Sequence, residues 1–414
     1  MNGIFAVILF LFCTRVGADS NSSHIPIVGV VDLHAHFAAH KLGYGYGAGA
    51  LQKIKNPTSL THKHRFKQTM FEPYLAKSGL KIIVATALGN VFKMGFPGYN
   101  PKKDIEKQIK YLEGFVAKFP QKYAIALSSG EAREAISSGR IVFVHAIEGA
   151  TKLIKSVDDI YHWKKRGVRM MGPIHMKDNK IGGSYLSNRV YRFFNINGRI
   201  RKLLGKNRGL KDFGKKVVNA MVNSGMMVDL SHMGEDSRAD TLKILKRHKI
   251  PPIVTHGYTK EVLDDPRNFS NDEINEIYDL GGLFGIGGDI KSLSKVSKKY
   301  KKSLDYCPKT IDSFLFQYEH INSLYANEPR PIAFGSDFNG GINHFKPKYG
   351  KHGCSEKSRV VNIDDFNTSG LRHVGMMKGF IKELGNRSNS LSLQSSAEGF
   401  LNAWEKVEKF SENL

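Results

Sequence analysis

Short apolar runs separated by polar loop residues recur along the whole chain. Each run is rich in β-branched or other apolar residues and is bounded by loop-forming residues such as Gly, Asn and Asp, a pattern typical of buried strands. We recognise eight such runs, at 27–36, 80–88, 140–149, 168–176, 225–233, 251–257, 281–289 and 330–340. The pattern therefore predicts eight strands.

Amphipathic segments lie between the apolar runs. At 104–119, 211–225 and 271–282, for example, apolar residues recur at three- and four-residue spacing, which predicts helices. Continuous apolar strands that alternate with helices indicate a parallel sheet that is covered on both faces. Eight such units favour a closed (β/α)8 TIM barrel, and a doubly wound open sheet is the alternative fold.

Side chains that can bind metals or transfer protons lie at the ends of six of the predicted strands. In a (β/α)8 barrel the carboxyl ends of all strands open onto one mouth, where the catalytic residues of such barrels lie. An open sheet does not predict this pattern. The barrel would bring together seven side chains from distant parts of the sequence: His34, His36, Glu148, His175, His232, His256 and Asp337.

The chemistry of this set favours a metal-dependent hydrolase. Even four of its five imidazoles, taken with the two carboxylates, exceed the four ligands of one catalytic Zn²⁺, but they suit two metal ions about 3.5–4 Å apart. Imidazole and carboxylate ligands without thiolates favour Zn²⁺, with Mn²⁺, Fe²⁺ and Co²⁺ as alternatives. Such ions lower the pKa of a water from near 15.7 toward about 7, so that hydroxide forms at neutral pH. We expect Asp337 to take the proton of this water and pass it on.

Several motifs around these residues occur in an order that is similar to one known family. They are AIEGA at 146–150, RGVRMMGPIHM at 166–176, DLSH at 229–232, PPIVTHG at 251–257, DDPRNFSNDEI at 264–274 and IAFGSDFNGG at 332–341. On these motifs the chain resembles the membrane dipeptidase (renal dipeptidase) family of the amidohydrolase superfamily, over about residues 27–410. The resemblance implies a (β/α)8 metallodipeptidase with two zinc ions, which hydrolyses dipeptides, including those with a D residue at the C-terminal position.

The resemblance also implies which residues bind the two zinc ions. The implied ligands are His34 and His36 for the first ion, His232 and His256 for the second, Glu148 as the bridge and Asp337 as a further contact of the first ion.

The same resemblance implies a catalytic or substrate-binding function for three residues. Asp337 would be the acid–base group, and His175 would polarise the scissile carbonyl and stabilise the oxyanion. Arg267 would hold the free carboxylate of the dipeptide, a bidentate contact that suits a guanidinium.

The chain departs from the family pattern in ways that concern the substrate. The family usually has His-x-Asp where this chain has His36, Gly-His where it has Gly149 followed by Ala150, and Phe-Asp-Gly where it has Asn339. A loop region at about 37–80 also differs, and its THKHR stretch at 61–65 is either an exposed basic loop or additional metal affinity. The alternatives to a dipeptidase are a lactonase, an N-acyl amino acid hydrolase and a non-catalytic metal- or envelope-binding protein. Arg267 favours the dipeptidase, because a carboxylate anchor has little use for a lactone.

The N-terminal segment predicts export. Residues 1–18 contain an apolar run from Ile4 to Cys13 that is too short to span a bilayer and is followed by small residues, as in a secretory signal peptide. We therefore expect a single mature domain at 19–414 in the periplasm or outside the cell, with an uncleaved membrane anchor as the alternative. The two remaining cysteines, Cys307 and Cys354, then predict one disulfide.

The charge of the chain adds little to the choice of function. The 414 residues include 62 basic and 38 acidic ones, a formal net charge of +24. The basic residues are scattered and no nucleic-acid-binding motif surrounds them, so we expect no nucleic acid partner. A basic surface suits association with an anionic cell envelope. A small peptide is the expected substrate, and a homodimer remains an open alternative.

Overall fold

The computed structural model describes residues 25–42, 50–51, 70–94, 96–186, 195–294, 296, 306–350, 353–354 and 365–414. The signal peptide predicted for 1–18 and the THKHR stretch lie outside these residues, so both interpretations stay predictions. Within the described ranges, no helix is long and apolar enough to cross a bilayer.

Eight parallel strands form the barrel that the apolar runs predict, which confirms the fold class. A ninth short strand, β3, pairs with the first half of β4 outside this ring. In chain order the strands are β1 (Val30–Ala35), β2 (Leu80–Leu88), β3 (Tyr123–Ile125), β4 (Ile141–Glu148), β5 (Met170–Gly172), β6 (Met227–Val228), β7 (Ile253–Gly257), β8 (Leu283–Gly287) and β9 (Ile332–Gly335).

The ring follows the strand order β6-β5-β4-β2-β1-β9-β8-β7. It closes between β6 and β7, where Asp229 and Ile253 form a parallel bridge and the N–H of Leu230 donates to the carbonyl of Ile253 at 2.9 Å. The closed ring places the carboxyl ends of all eight strands around one mouth.

The helices pack around the ring, and the three sequence segments cited as examples are helical. The α-helices are α1 (Glu72–Leu75), α2 (Pro101–Lys118), α3 (Ser129–Ser137), α4 (Asp158–Lys165), α5 (Ile196–Leu203), α6 (Asp212–Asn223), α7 (Glu235–His248), α8 (Asn271–Asp279), α9 (Ile290–Leu293), α10 (Ile311–Leu324), α11 (Phe366–Ser369), α12 (Met377–Arg387), α13 (Leu391–Gln394) and α14 (Ser396–Glu412). Short 3₁₀ helices are at Ala39–Leu42 and Val374–Met376.

Local sequence signals fix where several helices begin. The side chain of Asn100 accepts a hydrogen bond from the N–H of Lys102, and Pro101 occupies the first position of α2. Before α8, Ser270 and Glu273 exchange side-chain and backbone hydrogen bonds in a capping box. These signals orient the helices whose apolar faces cover the barrel.

Most of the barrel strands are shorter in the structure than their apolar runs, and β5 and β6 are the shortest of them. Strand β5 ends at Gly172, because Pro173 has no N–H to continue the ladder. Strand β6 ends at Val228, and the Asp229 side chain then accepts from the N–H of Ser231 at 3.0 Å, which turns the chain. His175 and His232 therefore lie on loops that follow their strands.

The predicted disulfide is present between Cys307 and Cys354, whose Cα atoms are 5.7 Å apart. Cys307 precedes α10 and Cys354 follows β9, so the bond joins the segments on either side of the last barrel strand.

Candidate metal centre

The carboxylate of Glu148 lies at the centre of five imidazole rings at the mouth of the barrel. Glu148 is the last residue of β4 and is buried. The Nε2 atoms of the five rings lie around its two oxygens, at 2.8 Å for His232, 3.5 Å for His175, 3.5 Å for His36, 3.6 Å for His34 and 3.7 Å for His256. The structure thus brings together residues that the sequence placed at the ends of five different strands.

His36 demonstrates that the cluster suits a cation. Its Nδ1 atom lies 3.0 Å from the backbone oxygen of Thr86, which can only accept, so Nδ1 carries the proton of the neutral ring. Nε2 then directs its lone pair toward Asp337 Oδ1 at 3.1 Å and Glu148 Oε2 at 3.5 Å. A lone pair that faces two carboxylate oxygens is unfavourable unless a proton or a metal ion lies between them. Burial lowers the pKa of His36, but these carboxylates outweigh burial and raise it.

A chain of hydrogen bonds orients the second imidazole pair. Asp229 accepts from the hydroxyls of Ser231 at 2.6 Å and Thr255 at 2.8 Å. Because the Thr255 hydroxyl donates to Asp229, its oxygen accepts from Nδ1 of His256 at 2.8 Å. Nε2 of neutral His256 is therefore unprotonated, and it faces Nε2 of His232 at 2.8 Å. Outer partners of this kind fix the tautomer of metal-binding histidines.

Burial and neighbouring charges keep three of the imidazoles neutral and Glu148 ionised. Burial lowers the pKa of His175, lowers that of His232 to about 3 and lowers that of His256 well below its usual value. Burial acts to raise the pKa of Glu148, but the surrounding imidazoles, His175 above all, hold it well below its usual value. Neutral imidazoles and ionised carboxylates are the forms that bind metal ions.

Backbone geometry places Asp337 beside the first imidazole pair. Asp337 follows β9 by two residues, its N–H donates to the carbonyl of His34 at 2.7 Å, and its φ is +55°. This left-handed conformation is uncommon for a residue other than glycine and clusters at functional sites. Glycine is required at Gly340, because a Cβ there would collide with Asp337 Oδ1. Burial acts to raise the pKa of Asp337, but the interaction with the adjacent imidazole of His36 outweighs burial and lowers it.

Arg267 lies on the β7 side of the mouth, close to two aromatic rings. Its guanidinium is 5.2 Å from the ring centre of Tyr258 and 5.6 Å from that of Tyr185, and one terminal nitrogen donates to the carbonyl of His256 at 3.2 Å. Its Nε atom is buried and has no hydrogen-bond partner among the described residues. A guanidinium with an unused donor suits a carboxylate ligand.

Three groups of side chains have ligand atoms close enough to share a metal ion. They are His34, His36 and Asp337; His34, Glu148 and His256; and Glu148, His175 and His232, with the atoms of each group within 4.8 Å of one another. The groups overlap at Glu148 and His34, so the cluster is continuous. The division into one pair per ion, which the resemblance implies, stays a prediction.

The three departures from the family pattern lie close to this cluster. His36 belongs to it, and Ala150 is buried two residues after Glu148. Asn339 is 2% exposed and has a φ of +63°, and neither polar atom of its amide has a partner among the described residues.

A cavity of about 280 Å³ opens onto the cluster. Glu148 and His175 line it together with the apolar side chains of Val91, Phe92 and Met94, which follow β2. A cavity of this size suits a small ligand.

The sequence interpretation missed the residues that orient the imidazoles. Thr86, Asp229 and Thr255 are isolated polar residues within or beside apolar runs, and no spacing rule singles them out. Their position was nevertheless a usable signal, since Asp229 precedes His232 by three residues and Thr255 directly precedes His256.

Comparisons with known proteins show which family the chain belongs to. The family model for membrane dipeptidase (peptidase family M19) matches residues 91–348. Among curated relatives, dipeptidase verJ from Clonostachys rogersoniana is 26% identical over 242 residues, which are 58% of this chain and 54% of that protein. The match thus spans about half the length of this relative.

Solved structures share the fold. A metallo peptidase from Rhodobacter sphaeroides, liganded with a phosphinate mimic of the dipeptide L-Ala-D-Ala, superposes with a TM-score of 0.63 at 14% identity, covering 92% of this chain and 99% of that one. The probable dipeptidase PvdM from Pseudomonas aeruginosa gives 0.61 at 18% identity, with 93% and 96% coverage. At these identities the likeness concerns the fold alone. Because the family model covers more than half of the sequence, the chain belongs to the membrane dipeptidase family, peptidase family M19.

Proposed function

We propose that the protein is a zinc-dependent dipeptidase that hydrolyses the peptide bond of dipeptides, including those with a D residue at the C-terminal position. The observation that carries the proposal is the convergence of five imidazoles on Glu148, with a lone pair of His36 directed at two carboxylates. These donors fit two Zn²⁺ ions, with Mn²⁺, Fe²⁺ and Co²⁺ as alternatives. Two such ions, when bound, supply an activated water and polarise the scissile carbonyl.

We expect the substrate to be contacted by one cationic and one neutral side chain. Arg267 holds the free α-carboxylate of the dipeptide, and the flanking rings of Tyr258 and Tyr185 keep its guanidinium plane in place. His175, whose pKa burial lowers, is neutral at pH 7 and donates a hydrogen bond to the carbonyl oxygen as negative charge develops on it.

Asp337 is the proposed proton carrier. Its pKa is lowered because the interaction with the adjacent imidazole of His36 outweighs burial, so it is a carboxylate at neutral pH and can accept a proton. The same carboxyl group then donates this proton to the amine that leaves when the peptide bond breaks.

A hydrolysis screen tests the proposal against the alternatives. Purified protein supplied with zinc is offered L-Ala-L-Ala, L-Ala-D-Ala, the corresponding dipeptide amide, a lactone and an N-acyl amino acid. We expect both dipeptides to be cleaved and the amide to be a poor substrate, because it lacks the carboxylate that Arg267 would bind. Turnover of the lactone or the N-acyl amino acid without turnover of dipeptides would instead support another hydrolase of the superfamily.

The substrate anchor has a separate test. Replacing Arg267 by lysine exchanges two parallel hydrogen bonds for a point charge, so we expect mainly a higher KM for dipeptides. The poor cleavage of the dipeptide amide should change little in this variant. Equal cleavage of dipeptides and their amides by the wild-type protein would contradict the anchor.

A further inference from the structure

A second, larger cavity lies next to the candidate metal centre and is basic. Its volume is about 900 Å³, and it shares Thr151 and Lys177 with the smaller cavity that opens onto Glu148. We call it the basic groove. The cationic side chains that line it are Lys152, Lys155, Lys177, Lys180, Arg201 and Lys211.

The basic groove contains one carboxylate, and that carboxylate is already neutralised. Asp178 accepts hydrogen bonds from Arg208 at 2.7 and 3.1 Å and from the amide of Asn195 at 2.8 Å. None of the six cations of the groove forms an ion pair with a carboxylate in the described part of the chain. The hydrogen-bond partners of three of these side chains are uncharged: Lys152 donates to the carbonyl of Phe96, Lys211 to that of Asn179 and Arg201 to that of Asn207.

Lys177 lines both the basic groove and the smaller cavity that opens onto Glu148. It follows His175 by two residues, it is half-buried, and no hydrogen bond or ion pair of its side chain occurs among the described residues. Burial, with a contribution from Lys152, lowers the pKa of its ammonium. A cation that is partly withdrawn from water beside a second cation gains stability when a ligand supplies the missing anion.

We propose that Lys177 and the adjoining basic groove bind a second anionic group of the substrate, so that the enzyme prefers dipeptides with an acidic side chain. The inference rests on the proposed dipeptidase function, in which Arg267 already accounts for the one α-carboxylate of a neutral dipeptide. Lys177 follows β5 whereas Arg267 follows β7, so the two cations occupy different sides of the mouth. A side-chain carboxylate of the dipeptide is the second anion that such a substrate can offer.

The test compares acidic dipeptides with neutral dipeptides of the same shape. The value of kcat/KM is measured for Ala-Glu against Ala-Gln and for Glu-Ala against Gln-Ala, in the wild-type protein, Lys177→Met and the control Lys216→Met. Lys216 is an exposed lysine on α6, outside both cavities. The substitution keeps the length of the side chain and removes its charge.

We expect the wild type to prefer the acidic member of at least one pair by about 10- to 100-fold, the effect of one hydrogen bond to a charged group. The ratio of kcat/KM for the acidic dipeptide to that for the neutral one should fall toward one in Lys177→Met and persist in Lys216→Met. In the wild type it should decrease as salt is added. Lys152→Met, which should weaken the preference in part, provides a second variant.

Two failures are distinguishable. Equal hydrolysis of both members of both pairs by the wild type, or a preference that Lys177→Met and Lys152→Met leave intact, would overturn the inference and leave the dipeptidase proposal standing. Absence of hydrolysis of all four dipeptides would overturn both.

Discussion

Strand β4 carries two buried titratable groups, Glu148 and His145, whose surroundings differ completely. Glu148 points into the mouth of the barrel, where five imidazoles lie within 3.7 Å of its oxygens. His145 is three residues earlier and therefore on the opposite face of the strand, where it lines a small cavity with Phe37, Gln108 and Leu112. Its Nε2 atom has no hydrogen-bond partner among the described residues.

The difference shows that burial of a titratable side chain is not enough to indicate a site. Burial lowers the pKa of His145 to about 4, and it also lowers the pKa values of His175, His232 and His256 in the cluster. What distinguishes Glu148 is the convergence of ligands from five strands, with outer partners such as Thr255 that orient the rings. Variants at the two positions should therefore separate catalysis from stability.

The largest expected effect follows from Glu148→Gln. The amide removes the negative charge that is common to all the imidazoles, so we expect dipeptide hydrolysis to fall by at least about 10³-fold with loss of bound metal. The matched control on the same strand is His145→Gln, which should retain hydrolysis within about threefold. Comparable losses in the two variants would contradict the distinction between the regions.

Asp337→Asn should lower kcat by about 10²- to 10⁴-fold, because the group proposed to transfer the proton is lost. Single-turnover and steady-state kinetics with a saturating dipeptide measure this change. An unchanged kcat would remove Asp337 from the proton-transfer step.

The double variant His232→Ala/His256→Ala tests the division of ligands. If these two rings hold one of two zinc ions, elemental analysis of the purified variant should find about one zinc per chain fewer than in the wild type. Full occupancy in the variant would refute the assignment of these residues as ligands.

Thr255→Val should have a smaller effect than loss of a ligand. The substitution keeps the shape of the side chain but removes the hydroxyl that links Asp229 to Nδ1 of His256. Loss of such an outer partner weakens metal affinity by about 10- to 100-fold, which competition with a chelator measures. Wild-type affinity in Thr255→Val would mean that the ring is oriented by other contacts.

The smallest expected effect concerns stability and pH at His145. Its folded pKa of about 4 lies below the reference value of 6.5, so between these values the unfolded chain binds more protons. His145 therefore lowers the free energy of unfolding as the pH falls from 6.5 to 4, by up to about 1.4 kcal/mol per pH unit. Denaturant unfolding of metal-free wild type and His145→Gln at several pH values should give a shallower decline for the variant, and parallel curves would contradict this prediction.

The sequence was sufficient to predict the barrel because its strands are buried on both faces and read as continuous apolar runs. The extra strand β3 was missed, since three residues with partial burial leave no such run. The apolar pattern places the ends of β5 and β6 too late, because it continues past Pro173 and Asp229, where the hydrogen-bonded ladder stops.

The candidate site was predictable to the extent that its residues end strands. His34, His36, Glu148, His256 and Asp337 lie at or within two residues of a strand end, and the barrel topology alone implies that they converge. Lys177 lies in a loop where no periodicity operates. Its connection to the basic groove depends on how separate loops pack, which the sequence pattern does not specify.

Hydrolysis as a function of added zinc shows whether Glu148 and its imidazoles form a two-metal hydrolytic centre. Chelator-treated protein receives zinc in measured equivalents per chain, and the initial rate of dipeptide hydrolysis is followed after each addition. We expect no hydrolysis without metal and a rate that rises until about two equivalents are bound and then stays constant. Hydrolysis by the metal-free protein, or a rate that is already maximal at one equivalent, would contradict this expectation.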